Sequence, residues 1–203
     1  MSIHVRPNSA SISHGEWARF IFISGSLSID FTQTGGATGK RAYWERFHAP
    51  ADLSDWLAES PLQLKGVQVS EEEFKIALML REAIWRVAEA IRQGQVPLAA
   101  DIALMNRVAS DPDLPPQLIK NGSGQGWHSP ATAAATLSTI ARDAISLFSG
   151  DLRSRIRQCE NPTCGLMFVD TSRPGKRRWC LMKRCGNISK TARYRQQRKQ
   201  HSE

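Results

Sequence analysis

Residues 159–187 read CENPTCGLMFVDTSRPGKRRWCLMKRCGN and contain all four cysteines of the 203-residue chain. The cysteines form two pairs of identical C-x4-C spacing, Cys159 with Cys164 and Cys180 with Cys185, and 15 residues separate the pairs. Two such pairs in a chain without a recognisable secretory signal are typical of a zinc site with four thiolate ligands. Four thiolates leave the metal no open position for water, so we expect a structural Zn²⁺ rather than a catalytic one.

The residues around the first pair predict a knuckle followed by a short hairpin. Gly165 lets the chain turn directly after the second ligand. An apolar strand over residues 166–169, a Pro-Gly turn over 171–175 and a return strand over 176–179 are then expected. The second pair of ligands comes at the end of this hairpin.

A helix is predicted after the last cysteine, because Asn187 is a good N-cap for a helix over residues 188–198. Knuckle, hairpin and a helix that begins at the last ligand is the order of a treble-clef zinc finger. A unit of this size has little to bury, so we expect Phe168, Trp179 and Ile188 to pack over the metal as a small core.

The same end of the chain is strongly basic. Residues 153–203 hold 14 Lys and Arg against three acidic residues, a net charge of +11, and since the whole chain carries +8, residues 1–152 carry −3. Segregated positive charge favours a polyanionic partner, and duplex DNA is the first candidate. Two alternatives to nucleic-acid contact stay open. The residues next to the ligands, Arg157, Lys183 and Arg184, would balance the negative charge of the metal site. The other basic residues would form a solvated tail. The residues predicted to contact nucleic acid are Arg173, Lys176, Arg177, Arg178, Asn187, Lys190, Arg193, Arg195, Arg198 and Lys199.

Residues 1–152 are predicted to form a separate, mostly helical domain, and residues 153–203 the zinc finger. The fold class of the whole chain is then α+β, with a small β-hairpin element in the first domain. Capping signals and apolar periodicity predict four helices, the last with Ser129 as its N-cap; they cover residues 50–59, 70–93, 98–109 and 130–148.

Two hairpins are considered in the first domain. Residues 19–24 and 27–32 read as two strands joined by a turn at Gly25, and a helix beginning near Ser26 is the competing interpretation. Residues 118–119 and Trp127, on either side of NGSGQG, predict the second hairpin.

The first domain contains few groups that indicate chemistry. Asp30 lies among apolar residues, where capping a helix or pairing with an arginine is favoured over a functional role. If the domain binds a small molecule, the residues expected to line the pocket are Asp30, Phe31, Trp85 and Trp127. The sequence has no nucleophile motif and no metal-binding histidine pattern, so we predict that the protein is not an enzyme. No apolar run is long enough to span a bilayer, and we expect a cytoplasmic protein.

The finger resembles a known module, the CGNR zinc finger, which closes a bacterial family of proposed stress-induced transcription regulators. The matching motifs are Cys159-x4-Cys164-Gly165, Phe168-x-Asp170-Thr171-Ser172, Arg178-Trp179-Cys180 and Cys185-Gly186-Asn187. The first domain resembles the ABATE domain of the same family, through FISGSLSIDF at residues 22–31 with Thr34, and through Pro50-x-Asp52-Leu53-x-x-Trp56-Leu57.

This resemblance implies zinc at the four cysteines, DNA binding by the finger and a largely helical first domain that senses a signal. Two positions depart from the family pattern. Ile188 stands where the name of the motif has Arg, and Gln33 stands where we expect Asn before Thr34.

Two hypotheses from different classes follow. In the first, the protein is a zinc-stabilised transcriptional regulator that binds duplex DNA, and its first domain responds to a small-molecule effector or forms a homodimer. A single finger makes few base contacts, so sequence specificity would need the dimer. In the second, the first domain is a small-molecule-binding or catalytic domain, and the finger is a docking module for protein or RNA.

Overall fold

The structure is a computed structural model that describes residues 19–191. Within that range none of the helices is long and apolar enough to cross a membrane. The described helices and strands are, in order, α1 (Leu27–Thr32), α2 (Pro50–Glu59), α3 (Glu71–Arg92), α4 (Ala99–Ala109), β1 (Pro116–Ile119), β2 (Gly124–Trp127), α5 (Ala133–Ser149), β3 (Ile156–Gln158) and β4 (Met167–Val169). The α+β fold class is confirmed: the first domain is mostly helical with one small hairpin, and a four-cysteine cluster follows.

Helix α3 is the centre of the first domain, and its capping box begins it where predicted. Ser70 Oγ accepts a hydrogen bond from Glu73 N at 3.2 Å, and the Glu73 carboxylate accepts one from Ser70 N at 2.9 Å. This reciprocal pairing satisfies amides that the first helical turn leaves without partners. The apolar face of α3 packs against α1, α4 and α5. The predicted helices α2 and α4 are likewise confirmed.

Residues 27–32 form helix α1, so the predicted first hairpin is wrong and the competing helical interpretation is confirmed. All six residues of the helix are buried. A segment that is buried on every side has no exposed face whose spacing along the sequence would distinguish a helix from a strand. Ser26 caps the helix by accepting from Ile29 N. Asp143 on α5 accepts from Ser26 Oγ and from Ser28 N, each at 2.8 Å. A carboxylate distant in sequence thus anchors the start of this short helix.

The segment between α4 and the finger follows the prediction with one change. Strands β1 and β2 pair antiparallel, with Pro116 opposite Trp127, which confirms the second predicted hairpin. Helix α5 begins at Ala133 and not at residue 130, because Thr132 and not Ser129 caps it. The Thr132 side chain accepts a hydrogen bond from Ala135 N at 3.2 Å.

Strand β4 pairs with β3, so the predicted return strand over residues 176–179 is wrong. The backbone groups of that stretch have other partners: Arg177 N donates to the Asp170 carboxylate at 2.8 Å, and the Arg178 carbonyl accepts from Glu160 N at 3.0 Å. The hairpin of the finger therefore encloses the first cysteine pair instead of linking the two pairs.

Strand β4 is shared between two cores. Met167 and Val169 pack into the main core with the helices, while Phe168 packs with the cysteines and with Ile23 of the first domain. This division follows from the alternation of side chains along a strand. The backbone is shared as well, because Val169 N donates to the Ser24 carbonyl at 2.8 Å. The finger is packed directly against the first domain, and residues of that domain help to build the metal site.

Candidate metal centre and its basic surface

The four cysteines lie together with the geometry of a tetrathiolate metal site. Their sulfur atoms all lie within 4.8 Å of one another. The Sγ atoms of Cys164 and Cys180 are 3.5 Å apart, and those of Cys180 and Cys185 are 3.6 Å apart. A tetrahedron with Zn–S bonds of 2.3 Å has S···S edges of about 3.8 Å. The cluster therefore fits a structural Zn²⁺ bound by Cys159, Cys164, Cys180 and Cys185, as predicted.

The first pair of ligands is held by a knuckle with its own hydrogen bonds. Cys159 N donates to the Leu166 carbonyl at 2.8 Å, and Cys164 N donates to the Asn161 carbonyl at 2.9 Å. Asn161 Oδ1 accepts from Thr163 N at 3.1 Å, which tightens the turn between the ligands. Gly165 follows at φ 72°, a left-handed conformation that glycine adopts without strain.

The last ligand, Cys185, lies in a turn of π-helix at Met182–Gly186 that leads straight into a helical stretch at residues 187–191. Asn187 already has helical backbone angles, φ −68° and ψ −41°, so its predicted role as N-cap is wrong. Its side chain instead donates to the Lys183 carbonyl at 3.1 Å. The π-turn supplies the entry to this helix, and Cys185 lies buried within it.

Three thiols of the cluster, Cys164, Cys180 and Cys185, have shifted pKa values. The hydrogen bond from Cys180 lowers the pKa of Cys164 to about 5. The same hydrogen bond, together with burial, raises the pKa of Cys180. Burial, and then the charge of Cys164, raise the pKa of Cys185 to about 11. An ionised Cys164 therefore opposes the ionisation of Cys180 and Cys185, and a soft divalent cation removes that conflict because it binds these sulfurs as thiolates.

The cover of the metal site differs from the prediction in one residue. Phe168 is completely buried against Cys159, Cys180 and Cys185, and Trp179 packs beside it, as expected. Ile188 does not join them, because its side chain is 54% exposed. Ile23 of the first domain takes that place instead, a contribution that the sequence of the finger alone could not reveal.

Arg177 is a structural residue of the finger, although it was predicted to contact nucleic acid. Its Nε donates to the Trp179 carbonyl at 2.9 Å, and its guanidinium also donates to the Cys180 carbonyl. The same group lies over the Phe168 ring, 4.5 Å from the centroid. Burial lowers the pKa of Arg177. These contacts hold the chain just before the second ligand pair, and they leave Arg177 little freedom to reach a partner.

The loop at residues 170–177 is organised by a buried carboxylate. Asp170 accepts hydrogen bonds from Ser172 N at 3.0 Å, Ser172 Oγ at 2.6 Å and Arg177 N at 2.8 Å. Burial opposes the ionisation of Asp170, but these hydrogen bonds outweigh it and hold its pKa below the ordinary value. The loop therefore presents Arg173 and Lys176 to solvent from a fixed backbone.

The remaining predicted contacts divide between exposed and undescribed residues. Arg178 lies over the Trp179 ring at 5.0 Å and pairs with Glu160 at 2.6 Å on the surface. The exposed residues of the set are Arg173, Lys176, Arg178, Asn187 and Lys190. The other predicted contacts, Arg193, Arg195, Arg198 and Lys199, lie outside the described residues.

The four residues predicted for a ligand pocket lie in different parts of the structure. Asp30 and Phe31 are buried in the core, and Trp127 lies in β2. The Asp30 carboxylate accepts from Ile23 N at 3.1 Å and from Ser24 N at 2.9 Å, and burial raises its pKa to about 7. Asp30 thus fixes the segment before α1 through backbone hydrogen bonds, whereas the sequence favoured helix capping or pairing with an arginine. Trp85 does line a cavity of about 290 Å³, which lies between the first domain and the knuckle.

Two family models match the chain. Residues 25–151 match ABATE, described as "Putative stress-induced transcription regulator", and residues 155–198 match the CGNR zinc finger. A search of curated proteins finds no match. The two matches agree with the architecture expected from the motifs around the cysteines and from residues 22–57.

Proposed function

The chain belongs to the ABATE family and carries a CGNR zinc finger, and from that premise we propose that it is a transcriptional regulator that binds duplex DNA through the finger. The zinc is structural in this proposal, because four thiolates leave the metal no position for a substrate. A metal without an open position cannot bind a substrate or an activated water, and we propose that the protein is not an enzyme.

The observation that supports DNA binding is a set of exposed cations without acidic partners. Within residues 19–191, none of Arg173, Lys176, Lys183 and Lys190 forms an ion pair with a carboxylate. Arg173 and Lys176 project from the loop that Asp170 organises, and Lys190 lies on the helical stretch that follows the last ligand. Unpaired cations on a rigid backbone are suited to phosphate oxygens, because little side-chain and loop freedom is lost on binding.

The remaining parts of the proposal follow from the size and chemistry of the finger. One small finger reaches few base edges, so we propose that a homodimer provides specificity. The first domain would supply the dimer contact or the response to an effector. Thiolates bind zinc only while they are reduced, which favours a cytoplasmic protein.

The proposal is tested by reversing the charge of the loop and measuring affinity for duplex DNA. The zinc-loaded full chain with Arg173→Glu and Lys176→Glu is compared with a Lys65→Glu and Lys75→Glu control, which makes the same change in net charge at exposed positions of the first domain. We expect the loop variant to lose at least tenfold in affinity and to have a salt dependence about two units shallower, since each phosphate contact contributes about 0.9 to the slope. Equal losses in the two variants would contradict binding through the finger.

A further inference from the structure

A cavity of about 290 Å³ lies where the first domain meets the zinc knuckle. One wall is formed by the loop after α1 and by Trp85 of α3, and the other by residues 163–166 and Arg184 of the finger. The volume is close to the lower end of the range of ~300–1,000 Å³ that is usual for ligand pockets. We propose that this cavity binds a small organic anion with a flat apolar group, and that the bound anion stabilises the finger.

The charge of the cavity favours an anion. Four arginines line it, no aspartate or glutamate does, and the one thiolate among the lining residues, Cys164, is a zinc ligand. Arg19 pairs with Asp52 and Asp55, and Arg41 pairs with Glu82, so their charges are already balanced. Arg46 has no carboxylate partner within residues 19–191.

Arg46 is therefore the residue best suited to bind a carboxylate. Its guanidinium donates to the Glu45 carbonyl at 3.2 Å and lies 6.0 Å from the centre of the Trp44 ring. Several of its N–H groups remain available, because a guanidinium has five donors and can bind a carboxylate with two of them at once.

Aromatic surface in the same cavity favours a flat apolar group on the ligand. Trp44 and Trp85 both line the cavity. The Arg41 guanidinium lies over the Trp85 ring, 4.3 Å from the centroid, and is fixed there by Glu82 at 2.9 Å. A flat ring can stack on such surfaces, and aromatic pairs contribute beyond the area that they bury.

Two buried polar atoms of lining residues have no hydrogen-bond partner within the described part of the chain, residues 19–191. They are Gln33 Oε1, an acceptor, and Arg41 Nε, a donor. Leaving such a group unsatisfied is destabilising, so a ligand that supplies one donor and one acceptor would recover part of that loss. The favoured ligand is thus an acid that also carries an N–H or O–H group.

The cavity is connected to the metal site through Gln33. The same side chain whose oxygen is unpaired donates from Nε2 to the Met167 carbonyl at 2.6 Å. Met167 precedes Phe168 in β4, and Phe168 covers the thiolates. The ligand would also contact the knuckle directly, since Thr163, Cys164 and Gly165 line the cavity. A bound anion therefore holds the first ligand pair more firmly and slows the loss of zinc.

The test uses the zinc-loaded full chain and two probes that share an indole ring and its N–H group. Indole-3-acetate carries a carboxylate, and tryptamine carries an ammonium group. Calorimetry should detect indole-3-acetate binding at least tenfold tighter than tryptamine. Arg46→Gln should weaken indole-3-acetate at least tenfold, Arg46→Lys should restore part of that loss, and Arg107→Gln, an exposed arginine outside the cavity, should change nothing.

The second readout is the rate at which zinc passes to a coloured chelator. Saturating indole-3-acetate should slow the transfer several-fold in the wild type and leave it unchanged in Arg46→Gln, whose thermal unfolding is measured to show that it is folded. No binding of indole-3-acetate at millimolar concentration, equal binding of tryptamine, or an unchanged rate of zinc transfer would each overturn the proposal.

Neither readout involves DNA, although a regulatory role for the anion rests on the proposed function. A chain that binds indole-3-acetate but no DNA would contradict the proposed function alone. A chain that binds DNA but not indole-3-acetate would contradict only the proposal that the cavity binds an anion.

Discussion

At the scale of single residues, side-chain chemistry decided what the sequence could predict. The four cysteines were identified because thiolate ligands need little more than their spacing to be recognised. The roles of Arg177 and Ile188 were predicted wrongly, since they depend on the path of the backbone in the folded chain. Arg177 is turned inward by hydrogen bonds to two carbonyls, whereas Ile188 is exposed and Ile23 from the first domain packs with the cysteines.

The exposure of Ile188 leads to a prediction for the position at which the chain departs from its family motif. Ile188→Arg removes no packed side chain, so we expect the free energy of unfolding to change by less than about 0.5 kcal/mol. The added cation lies next to Asn187 on the helical stretch, and it should raise DNA affinity and steepen the salt dependence by about 0.9.

The measurement is DNA affinity at several salt concentrations, and Ile188→Gln is the control for loss of the isoleucine. An Arg variant that behaves like the Gln variant would show that this face of the helix does not approach DNA.

Asp30 leads to a prediction about pH. The folded chain keeps a proton on this carboxyl up to about pH 7, whereas an unfolded aspartate loses it near its ordinary pKa of about 3.9. The folded state therefore binds more protons between these limits, and stability falls as pH rises through them, by at most about 1.4 kcal/mol per pH unit.

Asp30→Asn keeps the acceptor for Ile23 N and Ser24 N and removes the ionisation. Its free energy of unfolding, measured by denaturant between pH 5.5 and 8, should increase relative to the wild type as pH rises. A difference in free energy of unfolding between the two proteins that stays constant from pH 5.5 to 8 would contradict the ionisation of Asp30 in this range.

At the scale of elements, the predictions succeeded where local residues carry the signal and failed where distant residues set the conformation. Helices α3 and α4 were predicted because their apolar periodicity repeats over several turns, and a capping box also marks the start of α3. The short segments at 27–32 and 176–179 were misassigned, since their conformations are set by Asp143 and Asp170, which their own residues do not reveal. Strand β4 was predicted, but its partner β3 and its position between two cores were not.

The shared strand β4 predicts that zinc supports the whole chain. Removing zinc should release the knuckle and loosen Met167 and Val169, which pack in the main core. Loss of a few kcal/mol of packing corresponds to a fall in Tm of roughly 10 °C, at about 2–4 °C per kcal/mol for a chain of this size.

Helical circular dichroism measures this effect, because the helices α1 to α5 all lie before the finger. The melting temperature should fall after chelation and recover when Zn²⁺ is added back. A melting temperature of the helices that is the same with and without Zn²⁺ would show that the finger and the first domain unfold independently.

At the scale of the whole molecule, positive charge is concentrated at one end of the chain, as the sequence itself shows. A net +11 lies in residues 153–203, which also hold the four cysteines of the metal site. The boundary between residues 152 and 153 stays a prediction. The cavity was not predicted, because it is formed by residues 19–46, Trp85, and the finger, which meet only in the folded chain.

The central claim, that the zinc finger carries the chain to DNA, is tested most directly by genomic footprinting of the full-length protein. Cys185→Ser serves as the control, since it removes one of the four zinc ligands and leaves the cationic residues in place. We predict discrete protected sites for the wild type and their loss in the control. Failure of the wild type to protect any site beyond those of Cys185→Ser would contradict the claim.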